Sequence, residues 1–273
     1  MGDRETDGTW WVHDIEASKN GPGGGPAEHE LCLDFQPRFS LENGRLCGAE
    51  ALARWDHPIL GRLAAAEFVG EAEANRFVGD LDAFVIAAAC VQLKKWESGA
   101  GLPPGFSLSV NISAQDLDDP GFARRTASAM ARSGAGPGRL RLEVTCTSIG
   151  GHGATALAVV GELRDLDVAI DLDAIGVGFI TTTSLQHLCP GKICMDPTGF
   201  ADLRDLGGEA VLASMARLIH HFDALAVAKG IETAEVLSWM KGLGYDEAQG
   251  FLLGRPAPPA DLVPALSEAC QQG

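Results

Sequence analysis

Polar residues stand where several apolar, strand-like runs of this sequence end. These residues are Asn111, Glu143, Asp173, Lys229 and Gln249. Acids and amides predominate among them, and their hard oxygen atoms suit Mg²⁺ or Mn²⁺. In a closed barrel of parallel strands the carboxyl ends all open on one face, where sites are built. Emergence into solvent explains any one of these residues equally well, whereas the set together favours a site.

The same runs belong to a chain in which short strand-like segments alternate with helical ones. The strand-like segments are 31–39, 45–51, 107–112, 140–145, 168–172, 192–195, 224–228 and a short one near Ala248. The helix-like segments are 64–74, 81–97, 122–132, 155–166, 209–222 and 234–243. The pair Asn43-Gly44 predicts a hairpin turn between the first two strands. Roughly eight alternations predict an α/β fold, a TIM-type (β/α)8 barrel.

Composition and charge exclude several classes of protein. Hydrophobic residues make up 46% of the 273 residues, which is ample for a packed core. The net charge of −16 disfavours a nucleic-acid polymer or an anionic membrane as partner, while a small anion in one local site stays compatible with it. The longest apolar run, 83–91, is too short to cross a membrane, and the polar start shows no secretory signal. We therefore expect a cytoplasmic protein.

Cysteine spacing and the start of the chain add two expectations. The seven cysteines are odd in number and include no Cys-x-x-Cys pair, which favours free thiols over structural zinc or disulfides. Residues 1–29 contain the run Asn20-Gly-Pro-Gly-Gly-Gly-Pro26, which is typical of a flexible tail or linker. The folded domain is predicted to span 30–273.

The string Glu50-Ala-Leu-Ala-Arg54, followed by Trp-Asp-His-Pro, resembles the signature of the EAL domain, a bacterial module that cleaves cyclic di-GMP. Further motifs in that family's order and spacing are Phe35-Gln36-Pro37, Val110-Asn111-Ile112-Ser113, Leu142-Glu143-Val144-Thr145, Gly176-Val177-Gly178, Gly230-Ile231-Glu232 and Gln249-Gly250. The resemblance runs from about 31 to 262. It implies a barrel with one reversed strand and a phosphodiesterase that uses two Mg²⁺ or Mn²⁺ ions.

The resemblance also implies which residues would bind the first ion, and shows where this chain departs from the family pattern. The first ion's ligands fall on Glu50, Asn111, Glu143 and Asp173, and all four are intact. The departures replace an aspartate by Ala174, a lysine by Cys194, a glutamate by Lys229 and a loop-bracing glutamate by Cys146. The loop that begins at Gly176 is altered as well. No residue of the second half of the catalytic apparatus is therefore intact.

Charge balance gives the consequence of these replacements. Glu50, Glu143 and Asp173 with Lys229 carry a net charge of −2, which one divalent ion would balance, while a second would be uncompensated in a low-dielectric pocket. The first hypothesis places Lys229 near the second ion's position, where it holds a phosphate oxygen. In the alternative, Lys229 forms a salt bridge with Glu50 or Glu143, fills the site and makes a metal unnecessary.

Ligand-holding residues are also implied by the resemblance. They are Gln36, Leu52, Arg54, Asp82, Asn111, Lys229, Glu232, Gln249 and Pro256. The planar fork of Arg54 suits a phosphate, although a surface ion pair is the alternative. Asp82 could accept the N1–H and N2–H of a guanine, or cap a helix. Glu232 would support the site from behind, or have a structural role only.

Three functions follow as hypotheses. The first is a degenerate EAL regulator that binds cyclic di-GMP without hydrolysing it and signals through a protein partner. The second is a nucleotide-independent protein-interaction module, and the third is a weakly active phosphodiesterase. Retention of Arg54, Asn111 and Gln249 favours the first over the second, while Ala174 and Lys229 count against the third. The altered loop 176–184 predicts that any dimer formed through it is weakened or rearranged.

Overall fold

The computed structural model describes residues 30–57, 59–74, 78–145, 154–174, 185, 188–197 and 207–271. The strands are β1 (Leu31–Ser40), β2 (Leu46–His57), β3 (Gly61–Ala64), β4 (Ser107–Asn111), β5 (Leu140–Thr145), β6 (Ala169–Ala174), β7 (Lys192–Met195), β8 (Leu225–Ala228) and β9 (Glu247–Ala248). The helices are α1 (Ala65–Ala74), α2 (Val78–Ser98), α3 (Ala114–Leu117), α4 (Phe122–Ser133), α5 (Ala154–Asp165), α6 (Gly208–His221), α7 (Ala234–Gly242) and α8 (Val263–Gln271). The 3₁₀ turn Pro259–Leu262 leads into α8.

Eight of these strands close into a barrel. Strands β2, β4, β5, β6, β7, β8 and β9 follow one another as parallel neighbours. Strand β1 closes the circuit, because it pairs antiparallel with both β2 and β9. This confirms the predicted (β/α)8 barrel with one reversed strand and identifies β1 as that strand.

The turn between β1 and β2 forms at the predicted Asn43-Gly44 pair. Gly44 has φ +72°, which lies in the left-handed region that glycine adopts without steric cost. The side-chain Oδ1 of Asn43 accepts a hydrogen bond from the backbone N–H of Arg45 at 2.9 Å. The turn, together with a register shift between Arg38 and Phe39, sets the pairing in which Gln36 lies opposite Glu50.

A second hairpin was not expected from the sequence. Strand β2 continues past residue 51 as far as His57, and β3 folds back on it antiparallel. Strand β3 lies outside the closed circuit and pairs with β2 alone among the described strands. Ile59 and Leu60, at the tip of this hairpin, are 86% and 68% exposed.

The barrel interior is polar near the amino ends of its strands. Arg38 is fully buried there, and its Nη2 donates to Ser109 Oγ at 2.6 Å. Its Nε lies 3.6 Å from Glu247 Oε2. Lys192 Nζ contacts both carboxylate oxygens of Glu247, at 2.8 and 2.7 Å. This polar end of the barrel, here called the floor, contains Arg38, Lys192 and Glu247 and therefore more positive than negative charge. It lies opposite the acids at the carboxyl end of the barrel.

Two expectations from composition bear on the structure. Within the described ranges, no helix has both the length and the apolar character needed to cross a bilayer. The six cysteines in those ranges are free thiols, in agreement with the expectation from their spacing. Cys146 and the predicted tail 1–29 lie outside the described residues.

Candidate functional site

The predicted polar strand ends converge at the carboxyl mouth of the barrel. Asn111 ends β4 and lies beside Glu143 of the neighbouring strand β5. Asp173 lies on β6 next to Thr145, and Lys229 directly follows β8. Because side chains alternate across a strand, these side chains and Glu50 of β2 share the inner surface of the barrel. Five different strands thus supply one site.

Lys229 lies at the centre of the acids. Its Nζ donates to Glu143 Oε1 and, at 3.3 Å, to Asp173 Oδ2. It lies 3.3 Å from Glu50 Oε2 as well. The side chain of Lys229 is only 15% exposed and that of Glu143 is 1% exposed. One ammonium is therefore shared by three carboxylates in a largely dehydrated pocket.

Side-chain amides hold Glu50 in place from two sides. Asn111 Nδ2 donates to Glu50 Oε1 at 2.7 Å. Gln249 Nε2 donates to Glu50 Oε2 at 2.7 Å and to Gln36 Oε1 at 3.0 Å. Gln36 Nε2 in turn donates to the backbone oxygen of Gly254 at 3.0 Å. The two glutamines predicted to line the ligand groove therefore form one network with the acids.

The electrostatics of the cluster follow from this sharing. Burial works against the charge of Lys229, but Glu143, Glu50 and Asp173 raise the pKa of its ammonium well above the ordinary value. Burial alone would raise the pKa of Glu50, yet Lys229 and the amide hydrogen bonds hold it below its ordinary value. Burial, together with the charges of Glu50 and Asp173, raises the pKa of Glu143 to about 7. The cluster carries two net negative charges, which favours protonation of Glu143, its most deeply buried carboxyl.

In this arrangement the acids do not fit a divalent metal ion. The Lys229 ammonium takes carboxylate oxygens that a cation would need, and Asn111 turns its NH₂ group, a donor, toward Glu50. Across the described part of the chain, no three His, Cys, Asp or Glu side chains are grouped so as to hold a metal. The four implied ligands Glu50, Asn111, Glu143 and Asp173 do converge, but as an ion-paired cluster. Lys229 lies among the first ion's implied ligands, as in the salt-bridge alternative.

The replaced positions lie next to this cluster or outside the described residues. Cys194, on β7, is fully buried, and burial followed by the charge of Glu143 raises the pKa of its thiol well above the ordinary value. Its thiol is therefore neutral at pH 7. Ala174 is the last residue of β6, and its backbone pairs with Met195. Cys146 and the loop 176–184 lie outside the described residues.

The other predicted ligand residues have different environments. Arg54 is half-buried and donates from Nε to Asp34 Oδ2 at 2.8 Å and from Nη1 to the backbone oxygen of Ala53 at 3.0 Å. Asp82 is buried in α2, and its Oδ2 accepts the backbone N–H of Ser113 at 2.8 Å. The remaining three differ in exposure: Leu52 and Pro256 are half-buried, and Glu232 is exposed.

Sequence reasoning missed Asp34 and Arg62, two charged residues near the mouth. Asp34 Oδ1 accepts from Arg62 Nη2 at 2.6 Å, while Asp34 Oδ2 accepts from Arg54. A signal for Asp34 was present, because Asp34, Gln36 and Arg38 alternate with apolar residues along β1 and therefore point into the barrel. No comparable signal marked Arg62, since its short strand has no apolar run.

A closed (β/α)8 barrel with carboxylates at the carboxyl ends of its strands defines a class of protein whose sites lie at that mouth. Within that class, the family model described as "EAL domain" matches residues 25–256 of this chain. The chain belongs to the EAL-domain family. The predicted resemblance is therefore confirmed at the level of the family.

Individual relatives agree with this assignment. Over 241 residues the chain is 30% identical to "Uncharacterized protein y4lL" of Sinorhizobium fredii, covering 88% of this chain and 28% of that protein. It is 28% identical to the "Bifunctional diguanylate cyclase/cyclic di-GMP phosphodiesterase MucR" of Pseudomonas aeruginosa, covering 87% of this chain and 35% of that protein. The chain thus spans about a third of the length of these curated relatives.

A solved structure resembles the whole barrel. The structure "PaMucR Phosphodiesterase, c-di-GMP complex" superimposes with a TM-score of 0.79 at 28% identity and covers 92% of this chain and 99% of that one. That related protein carries cyclic di-GMP in its structure. The fold and the family of the chain described here are therefore the same as those of a cyclic di-GMP phosphodiesterase.

Proposed function

We propose that this chain is a cytoplasmic, non-hydrolysing EAL-domain regulator that binds cyclic di-GMP and signals through a protein partner. The observation that carries the proposal is the position of Lys229, whose ammonium is bonded among Glu50, Glu143 and Asp173. An ammonium from within the chain thus lies among the carboxylates that would bind an ion in an intact family member, and it leaves them a net charge of −2. A positively charged group nonetheless stays at the mouth, where an anionic ligand would lie.

Loss of hydrolysis follows from the groups that hydrolysis would need. In the family pattern, two ions activate water and hold the attacking and leaving oxygens, and an ammonium has no coordination position for that water. Cys194 does not replace the missing lysine, because its buried thiol is neutral at pH 7.

Retention of binding is supported by the groups that survive. Gln36 and Gln249 form a buried network beside Glu50, and Arg54 stands on the same strand as Glu50. Half-buried Leu52 offers an apolar surface between them. The bound cyclic di-GMP in the related MucR structure supports this ligand over other phosphodiesters.

Calorimetric titration of the purified protein with cyclic di-GMP tests the proposal. The titration is run with Mg²⁺ and again with EDTA, and the nucleotide is checked for cleavage over several hours. We expect binding in both conditions and intact nucleotide at the end. Rapid metal-dependent cleavage by the purified protein would refute the proposal, and absence of binding in both conditions would favour the protein-interaction alternative.

A restoration experiment then tests why hydrolysis is absent. The triple variant Ala174→Asp, Cys194→Lys, Lys229→Glu returns the three family residue types to this chain. We expect metal-dependent cleavage of cyclic di-GMP by the triple variant and none by the single Lys229→Glu variant. Equal activity of the wild type and the triple variant would show that these positions do not account for the loss.

The nucleotide-independent module is favoured by one observation. Arg54, the residue predicted to hold a phosphate, already has a carboxylate partner in Asp34. While that ion pair holds, Arg54 offers no free fork to a nucleotide phosphate. The titration described above decides between the two functions, because only the regulator binds cyclic di-GMP.

A further inference from the structure

Asp34 connects two arginines at the rim of the barrel mouth. Its Oδ2 accepts from Arg54 Nε at 2.8 Å, and its Oδ1 accepts from Arg62 Nη2 at 2.6 Å. The side chains of Asp34 and Arg54 are 10% and 13% exposed, while that of Arg62 is 45% exposed. Arg62 also lies 3.8 Å from Asp56, a half-exposed acid at the edge of the same hairpin.

These three residues continue the inner surface that carries the acidic cluster. Along β1, Asp34 precedes Gln36 by two positions, so both side chains point to the same face. Along β2, Arg54 follows Glu50 by four positions and shares its face for the same reason. Arg62 reaches this surface from β3, where it lies diagonally across from Arg54.

The Asp34 carboxylate has the charge and shape of the group that two such arginines would bind in a ligand. A carboxylate and a phosphodiester each carry one negative charge and offer two oxygens to guanidinium donors. With Asp56 included, the two arginines and two aspartates at the rim carry no net charge, so a phosphate gains these donors only by replacing Asp34. Arginine forks hold either anion with similar geometry, so the two compete for the same donors.

We infer that Arg62 is a second phosphate-binding residue of this mouth and that Asp34 is the internal anion that a ligand phosphate displaces. The inference rests on the proposed binding of cyclic di-GMP at this site. Displacement of Asp34 frees Nε of Arg54 and Nη2 of Arg62 for the phosphate oxygens. The affinity for the nucleotide is accordingly lowered by a competitor built into β1.

Removal of the Asp34 charge is the direct test. Cyclic di-GMP is titrated calorimetrically into the wild type, Asp34→Asn and Asp34→Ala at one ionic strength, with thermal melting as a check of folding. We expect both variants to bind about tenfold more tightly, as one charge-assisted contact at a partly exposed rim predicts. If Asp34 only positions Arg54, the same variants bind more weakly, and the inference is overturned.

A second comparison isolates Arg62. On the Asp34→Asn background the competing carboxylate is already absent, so Arg62→Ala removes only the contact with the phosphate. This variant should therefore weaken binding of cyclic di-GMP about tenfold. Arg125→Ala on that background is the matched control, since Arg125 is 46% exposed and pairs with Asp119 at 2.7 Å, on α4 outside the barrel. The control should leave binding unchanged. Equal effects of the two arginine variants would overturn the role of Arg62.

The result also separates this inference from the proposed function. If the wild type binds no cyclic di-GMP but Asp34→Asn does, binding by the wild type is refuted and the inference stands. If the wild type binds and Asp34→Asn binds no better, the inference fails alone. If neither binds, both fail.

Discussion

Replacement of Lys229 by methionine removes the ammonium while keeping a chain of similar length. Glu50, Glu143 and Asp173 would then face one another without a cation. In the wild type, each of the two contacts at 3.3 Å has a Coulomb energy of about 5 kcal/mol at an effective dielectric constant of about 20. Desolvation of the ammonium offsets several kcal/mol of that attraction, so removal of one partner of a buried ion cluster costs about 3 to 5 kcal/mol.

Proton uptake limits this loss. The pKa of Glu143 is already about 7, and the loss of Lys229 raises it further, so the variant relieves repulsion by protonation. We therefore expect Lys229→Met to lower the free energy of unfolding by about 3 kcal/mol at pH 7. For a domain of this size, the melting temperature falls by about 6 to 12 °C. The loss should be smaller at pH 5.5, where more carboxyls are protonated.

Urea unfolding and thermal melting measure the effect, each with Mg²⁺ and with EDTA. Mg²⁺ should raise the melting temperature of Lys229→Met and leave that of the wild type unchanged, because only the variant has free carboxylates. Lys94→Met is the matched control: Lys94 is 46% exposed and pairs with Glu97 at 2.8 Å, so its loss costs about 1 kcal/mol or less. If Lys229→Met is as stable as the control, or if Mg²⁺ stabilises wild type and variant equally, the internal-cation account is refuted.

Three further predictions concern the acids, the backbone and the floor of the barrel. The pKa of Glu143 is raised from 4.5 to about 7, so between these pH values the folded state keeps a proton that the unfolded state has lost. The unfolding free energy of the wild type minus that of Glu143→Gln should therefore fall as pH rises from 4.5 to 7. Urea titrations should show a fall of up to about 1.4 kcal/mol per pH unit. Gly250→Ala would place a Cβ 2.2 Å from the backbone of Ile231, so it should lower the free energy of unfolding in urea by at least about 1 to 3 kcal/mol. Gly242→Ala is the control: its Cβ would meet no atom within 4 Å, so its effect on stability should be neutral or favourable. Arg38→Met should destabilise by about 3 kcal/mol, and by less on a Glu247→Gln background, because the two charges interact at 3.6 Å; a double-mutant cycle measures this.

The sequence predicted the barrel and the convergence of its acids because both depend on periodic patterns. Strand bounds 140–145 and 192–195 agree with β5 and β7 as observed, since β-branched and apolar residues mark buried strands directly. Polar residues at the carboxyl ends of parallel strands meet at one mouth for geometric reasons alone. Asn111 and Glu143 therefore lie side by side, as expected.

Such patterns do not predict which residue a long side chain contacts. Lys229 has a flexible four-carbon stem, so the sequence was compatible with a free ammonium or an internal salt bridge, and only the distances distinguish them. For Arg54 the sequence was compatible with a phosphate contact or an ion pair, and its acidic partner, Asp34 on the neighbouring strand, was not predicted. Pairing across strands depends on register, which short-range patterns do not specify.

The hairpin of β2 and β3 was missed for a different reason. After Ala51, β2 continues through charged residues that periodicity assigns to a loop, and β3 has only four residues. Its pairing is stabilised by backbone hydrogen bonds, by Arg62 and by Leu63, which lies opposite Trp55 and packs against the apolar core. Edge hairpins of this kind leave little hydrophobic signal in a sequence.

The reversed direction of β1 has a consequence for how signals could enter this barrel. Because Leu31 pairs with Trp55, the chain reaches β1 at the mouth, and Glu30 accepts a hydrogen bond there from the indole of Trp55. A sensory domain joined to that end would be tethered beside the mouth, so its local concentration there would be high, whereas a domain joined near the floor would be kept away from the mouth. Occupancy of the mouth and the position of such a tethered domain would then depend on each other, with no need for a change in the barrel itself.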